Sequence, residues 1–133
     1  GSIKNFEIFY YESEGKQLEK LSLWIKIFKK EGYRPSEITL LSFCGDISSA
    51  ASKLIKKGHD LRPVWKYSNA TSFSSIHAFK GMENKIIILT DVVLEEKGFD
   101  RNLFYTAITR ATESVYILCN ENSQETILNW TRI

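Results

Sequence analysis

The chain has 133 residues, 43% apolar and 26% charged, with a formal net charge of +2. This is an ordinary soluble composition for one domain, long enough to bury a core, and the charge neither demands nor excludes a polyanionic partner. No leader peptide and no run of about 18 apolar residues occurs, which speaks against export, membrane spanning and a membrane partner. Cys44 and Cys119 each follow an apolar run, the setting of buried thiols in a reducing, cytoplasmic compartment rather than of a disulfide or a metal site. Gly1-Ser2 reads as a cloning remnant, so residues 3–133 are taken as a single domain cut from something larger.

Phe6–Tyr11 is a continuous apolar and aromatic run and reads as a buried strand. Ser13 is a suitable N-cap for a helix running to Glu31, with Leu18, Leu21, Trp24, Ile25 and Phe28 on one stripe. Gly32 stands where a left-handed C-terminal residue belongs. The lysines along this helix (16, 20, 26, 29 and 30) read as a solvated face. After the turn Arg34–Glu37 comes a second buried strand, Ile38–Phe43. Asp46 is expected to cap a helix that turns Ile47, Ala50, Ala51, Leu54 and Ile55 inward and ends at Gly58. His59 reads as a surface residue and not a ligand.

Leu61–Trp65 is expected to be a short strand, and Trp65-Lys66-Tyr67 an aromatic–basic group that could stack bases. Packing of these two rings in a core or an interface is the plainer reading. Ser68–Thr71 is a polar loop. Strands are expected at Phe73–Ile76, Lys85–Asp91 and Val115–Cys119. A loop is expected over Val92–Phe99, then a helix capped by Asp100 and a closing helix at Ser123–Trp130. Alternating strands and helices argue for an α/β fold, a mostly parallel sheet with helices on both faces.

Two stretches carry the chemistry. In Ser75-Ile-His-Ala-Phe-Lys-Gly-Met-Glu83, the residues His77, Lys80 and Glu83 recur every three positions, so one tight helical turn would gather them. Lysine and imidazole suit phosphate or base contacts, a carboxylate suits ribose hydroxyls, and Gly81 permits close backbone approach. In Leu103–Ala111 a helical projection puts Leu103, Phe104, Ala107, Ile108 and Ala111 on one arc, with Arg110 at its edge. A half-shielded arginine there either meets an internal carboxylate or faces a ligand, and a rigid charged fork suits a transferring phosphoryl group. In open α/β sheets such ligand chemistry is expected beyond the strand C-termini.

The pattern Ser75-x-His77-x-x-Lys80-Gly81-x-Glu83 resembles motif V of superfamily 1 helicases of the UvrD/Rep type. Leu103-x-Tyr105-x-Ala107-x-Thr109-Arg110-Ala111 resembles their motif VI, and the strands between and after the two are in the matching order. Asn84 stands where the family often has an aromatic, and Thr106 replaces a common valine, as in the RecD branch, whereas Lys80-Gly81 is more UvrD-like. The resemblance covers nearly the whole chain and implies the second RecA-like motor lobe of an ATP-dependent DNA helicase, a DNA-repair type of enzyme. It implies that Arg110 is the arginine finger on the γ-phosphate of ATP, that Glu83 and Gly81 lie at the nucleotide's ribose, and that Ser75, His77 and Lys80 contact single-stranded DNA. The chain has no G-x-x-x-x-G-K-[ST] and no acidic pair after a strand for magnesium. The phosphate cradle and the Mg2+ ligands are therefore expected on an N-terminal P-loop lobe of the same parent, and this lobe alone is expected to bind no cofactor and to be inactive. The other reading is a non-catalytic nucleic-acid- or protein-binding module derived from such a lobe. A separate α/β enzyme finds no nucleophile–base pair or metal cluster to support it.

Overall fold

A computed structural model describes residues 3–45, 49–95 and 98–131. Six strands form one sheet: β1 (Asn5–Tyr11), β2 (Ile38–Ser42), β3 (Leu61–Pro63), β4 (Thr71–Ser75), β5 (Asn84–Val92) and β6 (Ala111–Asn120). Their order is β1-β6-β5-β2-β4-β3, and every pair is parallel. Among the described residues four α-helices accompany them: α1 (Glu14–Lys30), α2 (Ala50–Lys56), α3 (Gly98–Ile108) and α4 (Gln124–Thr131).

The central strands are apolar on both faces, and their two-residue alternation splits the core. Ile38, Leu40, Ile86, Ile88 and Leu118 pack with Leu21, Trp24, Ile25 and Phe28 of α1 and with Ala51 and Leu54 of α2. Leu41, Ile87, Leu89, Val115 and Ile117 pack on the other face with Phe104 and Ala107 of α3 and Ile127 of α4. Helices on both faces of a parallel sheet are what the alternating sequence leads one to expect.

Several expectations shift for identifiable reasons. β1 is an edge strand, so Phe6 is exposed although its run looked buried. Ser49 caps α2 by accepting from the Ser52 amide at 3.1 Å, while Asp46 and Ile47 lie outside the described residues, as do Gly1 and Ser2. Ile55 faces solvent, not the core. α3 begins at Gly98, so Asp100 sits within its first turn, buried, with its carboxylate accepting from the Glu95 amide at 3.0 Å. β3 stops at Pro63, and Trp65 and Tyr67 are exposed at 66% and 100%, which removes them from any core. Cys119 is buried and its thiol pushed up to about 12 by that burial, while Cys44 is half-buried, and both are free.

Candidate functional site

The segment from Ser75 to Glu83 does not form the single helical turn that its spacing suggests. Because β4 and β5 are parallel and separated by β2, the chain leaving β4 must cross a whole sheet face to start β5. Ser75 pairs with Ser42, which pairs with Thr90, so the crossing starts at the edge where the strands end. A short 3-10 turn covers only His77–Phe79, held by the Ala78 amide donating to Ser75 Oγ at 3.2 Å. Ile76 and Phe79 anchor the crossing in the α3/α4 core. Lys80 is then extended (ψ 134°) and Gly81 turns to φ 81°, a left-handed conformation costing a side chain about 1–2 kcal/mol. His77, Lys80 and Glu83 are thereby strung along the crossing rather than gathered.

Glu83 and Arg110 both lie at the opposite edge, where the strands begin. Glu83 directly precedes β5 and Arg110 directly precedes β6. Asn84 is in register with Ala111, and its amide donates to the Arg110 carbonyl at 3.1 Å. The expectation that ligand chemistry lies beyond the strand C-termini is therefore corrected for these two residues and for Gly81. Beyond the strand C-termini there is a cleft of about 450 Å3, but Glu14, Asp91, Glu95 and Asp100 line it, a poor setting for an anionic ligand.

Arg110 follows the end of α3, its amide bonded to the Ala107 carbonyl at 3.1 Å. Its guanidinium is half-buried and makes one contact, Nη2 to Thr109 Oγ1 at 3.3 Å. Nε is buried with no hydrogen-bond partner, and among the described residues no carboxylate pairs with this arginine. A buried donor left unmade costs about 1–3 kcal/mol, so this is an unusual posture for a structural brace. The internal carboxylate partner allowed by the helical projection is not found among the described residues. His77, Lys80 and Glu83 are all exposed, and among the described residues their side chains have no hydrogen-bond or ion-pair partner.

Sequence reasoning missed what holds this edge. Asn84 donates from Nδ2 to the Ser36 carbonyl at 3.0 Å and to Thr39 Oγ1 at 2.9 Å, and accepts the Lys85 amide at 2.8 Å. Beside it Glu37 takes the Lys85 ammonium, the Arg34 amide at 2.9 Å and the Arg34 guanidinium at 3.6 Å. The Lys85 hydrogen bond above all, then the Arg34 amide, pulls the Glu37 carboxyl down to about 2. Tyr33 donates to Glu113 at 2.6 Å, which holds the tyrosine up at about 12 and lowers the glutamate. The signal for this cluster was the departure at Asn84, where the resembling family favours an aromatic.

Glu37 has a pH signature. Its folded value lies below its ordinary 4.5, so its stabilisation is complete above about 4.5 and is lost as pH falls towards 2. Glu37→Gln is expected to melt below the unaltered chain at pH 7, with the gap closing by about pH 2. A gap that stays constant across a thermal-melt series from pH 7 to pH 2 shows that the carboxylate's charge is not what the edge uses.

The family model for the UvrD-like helicase C-terminal domain matches residues 72–118, which span β4, the crossing, β5, α3 and most of β6. Among solved structures, the C-terminal domain of a possible DNA helicase from Lactobacillus plantarum WCFS1 shares the fold at a TM-score of 0.72 and 13% identity. The similarity covers 91% of this chain and 76% of that one. Among curated proteins, none matches this sequence. The matched segment is the one that builds the crossing and both edge residues, and over it the chain is similar to UvrD-like helicase C-terminal domains, whose fold it shares.

Proposed function

We propose that this domain is the second motor lobe of an ATP-dependent helicase or translocase acting on single-stranded DNA, and that it supplies half of a composite ATP site. The observation that carries this reading is Arg110, half-buried at the strand-N-terminal edge with no carboxylate partner among the described residues, one residue before β6 as Glu83 is one residue before β5. Arg110 would hold the γ-phosphate of ATP, and Glu83 with Gly81 the ribose side. Hydrolysis of that bound nucleotide would supply the energy for stepping. Mg2+ and the phosphate cradle would belong to the N-terminal P-loop lobe, since this chain lacks the P-loop sequence.

Ser75 and His77 lie towards the other edge, with Lys80 between them and the nucleotide side. Together they would face the single strand. One segment would then touch both ligands, anchored at Ile76 and Phe79, so a shift at the nucleotide edge would be felt at the strand. The positive φ of Gly81 lets the chain turn from the crossing into β5 at the ribose side.

This half-site reading sets an expected result for the chain by itself. ATP turnover is expected at background, with or without single-stranded DNA, because a fork without a cradle cannot position the reacting phosphoryl group. The measurement is phosphate release from purified chain and from Arg110→Ala. Turnover above background that disappears in Arg110→Ala overturns the half-site reading.

A further inference from the structure

The connection between β3 and β4 spans residues 64–70 and contains no helix. Parallel neighbours ordinarily need about a dozen residues or more to cross over. Here the strands are short, three and five residues, and β3 is the open edge of the sheet. The Val64 amide donates to the Phe73 carbonyl at 3.1 Å and the Lys66 amide to the Pro63 carbonyl at 3.0 Å, making a tight turn that presents residue 65. Scattered exposed aromatics are normal on a protein surface. Trp65 and Tyr67 are different in being paired across a lysine, at 66% and 100% exposure.

The surroundings of Tyr67 are basic. Lys66 and Tyr67 line a cleft of about 420 Å3 together with Lys29, Arg62 and Asn69. Its one lining acid, Asp60, is held by Arg62 at 2.9 Å. Lys29 and Lys66 have no ion-pair partner among the described residues. The turn is also continuous with the crossing segment. Val64 packs in the same apolar cluster as Ile76 and Phe79, and Pro63 is in register with Phe73, two residues before Ser75.

We propose that Trp65, Lys66 and Tyr67 form a stacking clamp for single-stranded nucleic acid, carrying the strand from Ser75 and His77 around the β3 edge. Bases stack on the two rings and phosphates pair with Lys66 and Lys29. Aromatic faces accept any base, so the clamp grips without reading sequence. The inference rests on the single-strand surface proposed above and extends it to a turn outside both sequence motifs.

The test is fluorescence anisotropy of the whole chain with labelled oligothymidylate and oligouridylate at low salt. Trp65→Ala is expected to weaken binding about 5- to 130-fold, the equivalent of one lost base stack. Trp65→Phe restores most of it. Lys66→Ala lowers the salt slope by about 0.7, one phosphate's share on a single strand. Both rings are exposed, so Trp65→Ala/Tyr67→Ala keeps the melting temperature of the unaltered chain. Unchanged affinity in that double variant, alongside a loss in Lys80→Ala, overturns the clamp and leaves the motif surface standing. The converse, loss in the double variant and none in His77→Ala/Lys80→Ala, keeps the clamp and removes the motif surface. Failure of the unaltered chain to bind either oligonucleotide, or self-association abolished by the double variant, overturns the clamp as well.

Discussion

Arg110→Ala in the intact parent is expected to lower ATP turnover by roughly 10³–10⁵-fold, the worth of an arginine finger in related nucleotide hydrolases. That is about 4–7 kcal/mol of transition-state stabilisation. Nucleotide and strand affinity should change far less, because the fork acts on charge that develops only during transfer. Arg110→Lys should not restore turnover, since a point charge lacks the planar two-pronged geometry.

A structural brace makes the opposite pattern. The observed contacts already weigh against it: a single 3.3 Å bond to the neighbouring Thr109, no carboxylate among the described residues, and a buried Nε with no acceptor. Deleting such a side chain should cost this domain no more than about 1 kcal/mol. Thermal unfolding of the domain and ATP turnover of the parent therefore form one paired measurement. A destabilised domain with near-normal parental turnover sinks the finger assignment.

The elements were legible because the apolar runs are long and both faces of the sheet are buried. Ile86–Leu89 could be nothing but a central strand, and Leu18, Leu21, Ile25 and Phe28 nothing but a helix stripe. The placement of the chemistry was less legible. The i, i+3 spacing of His77, Lys80 and Glu83 suggested a helical turn, but strand order decides how far that segment must reach, and sequence spacing does not contain strand order. The same gap put Arg110 at the wrong edge. Trp65 and Tyr67 looked like core because aromatics usually are. They are exposed because Pro63 closes β3 and the chain turns away two residues later. Asn84 and Asp91 were invisible as polar anchors, since the partners that tie them to other elements lie more than 40 residues distant.

Asp91→Ala is expected to be the most destabilising single change in the domain, costing about 3–5 kcal/mol. Asp91 is only 7% exposed and is the penultimate residue of β5 at φ 61°, inside an irregularity of the β5–β6 register. That backbone turns its carboxylate towards three other elements. It accepts from Thr90 at 2.6 Å, Ser42 at 2.7 Å, Gln17 at 3.2 Å and the first amide of α2, Ala50, at 3.1 Å. Its own amide donates to Gln17 at 2.7 Å. Four donors lose this acceptor in the alanine variant, the Ala50 amide with no other shown while Gln17 keeps Glu14 and Thr90 the Leu41 carbonyl. Alanine keeps the Cβ strain of about 1–2 kcal/mol at this φ without the carboxylate's bonds to offset it. Asp91→Gly removes the same carboxylate without the strain, so it should fall between alanine and the unaltered chain. Asp91→Asn should cost least, because asparagine tolerates the left-handed backbone and the Ser42 and Thr90 hydroxyls can reverse to accept from its amide. In thermal melts the alanine variant should fall by roughly 10–25 °C, using about 3–5 °C per kcal/mol for a domain of this size. A melt within two or three degrees of the unaltered chain, or glycine falling below alanine, shows that neither the carboxylate's bonds nor the backbone strain at this position carries the stability assigned to it.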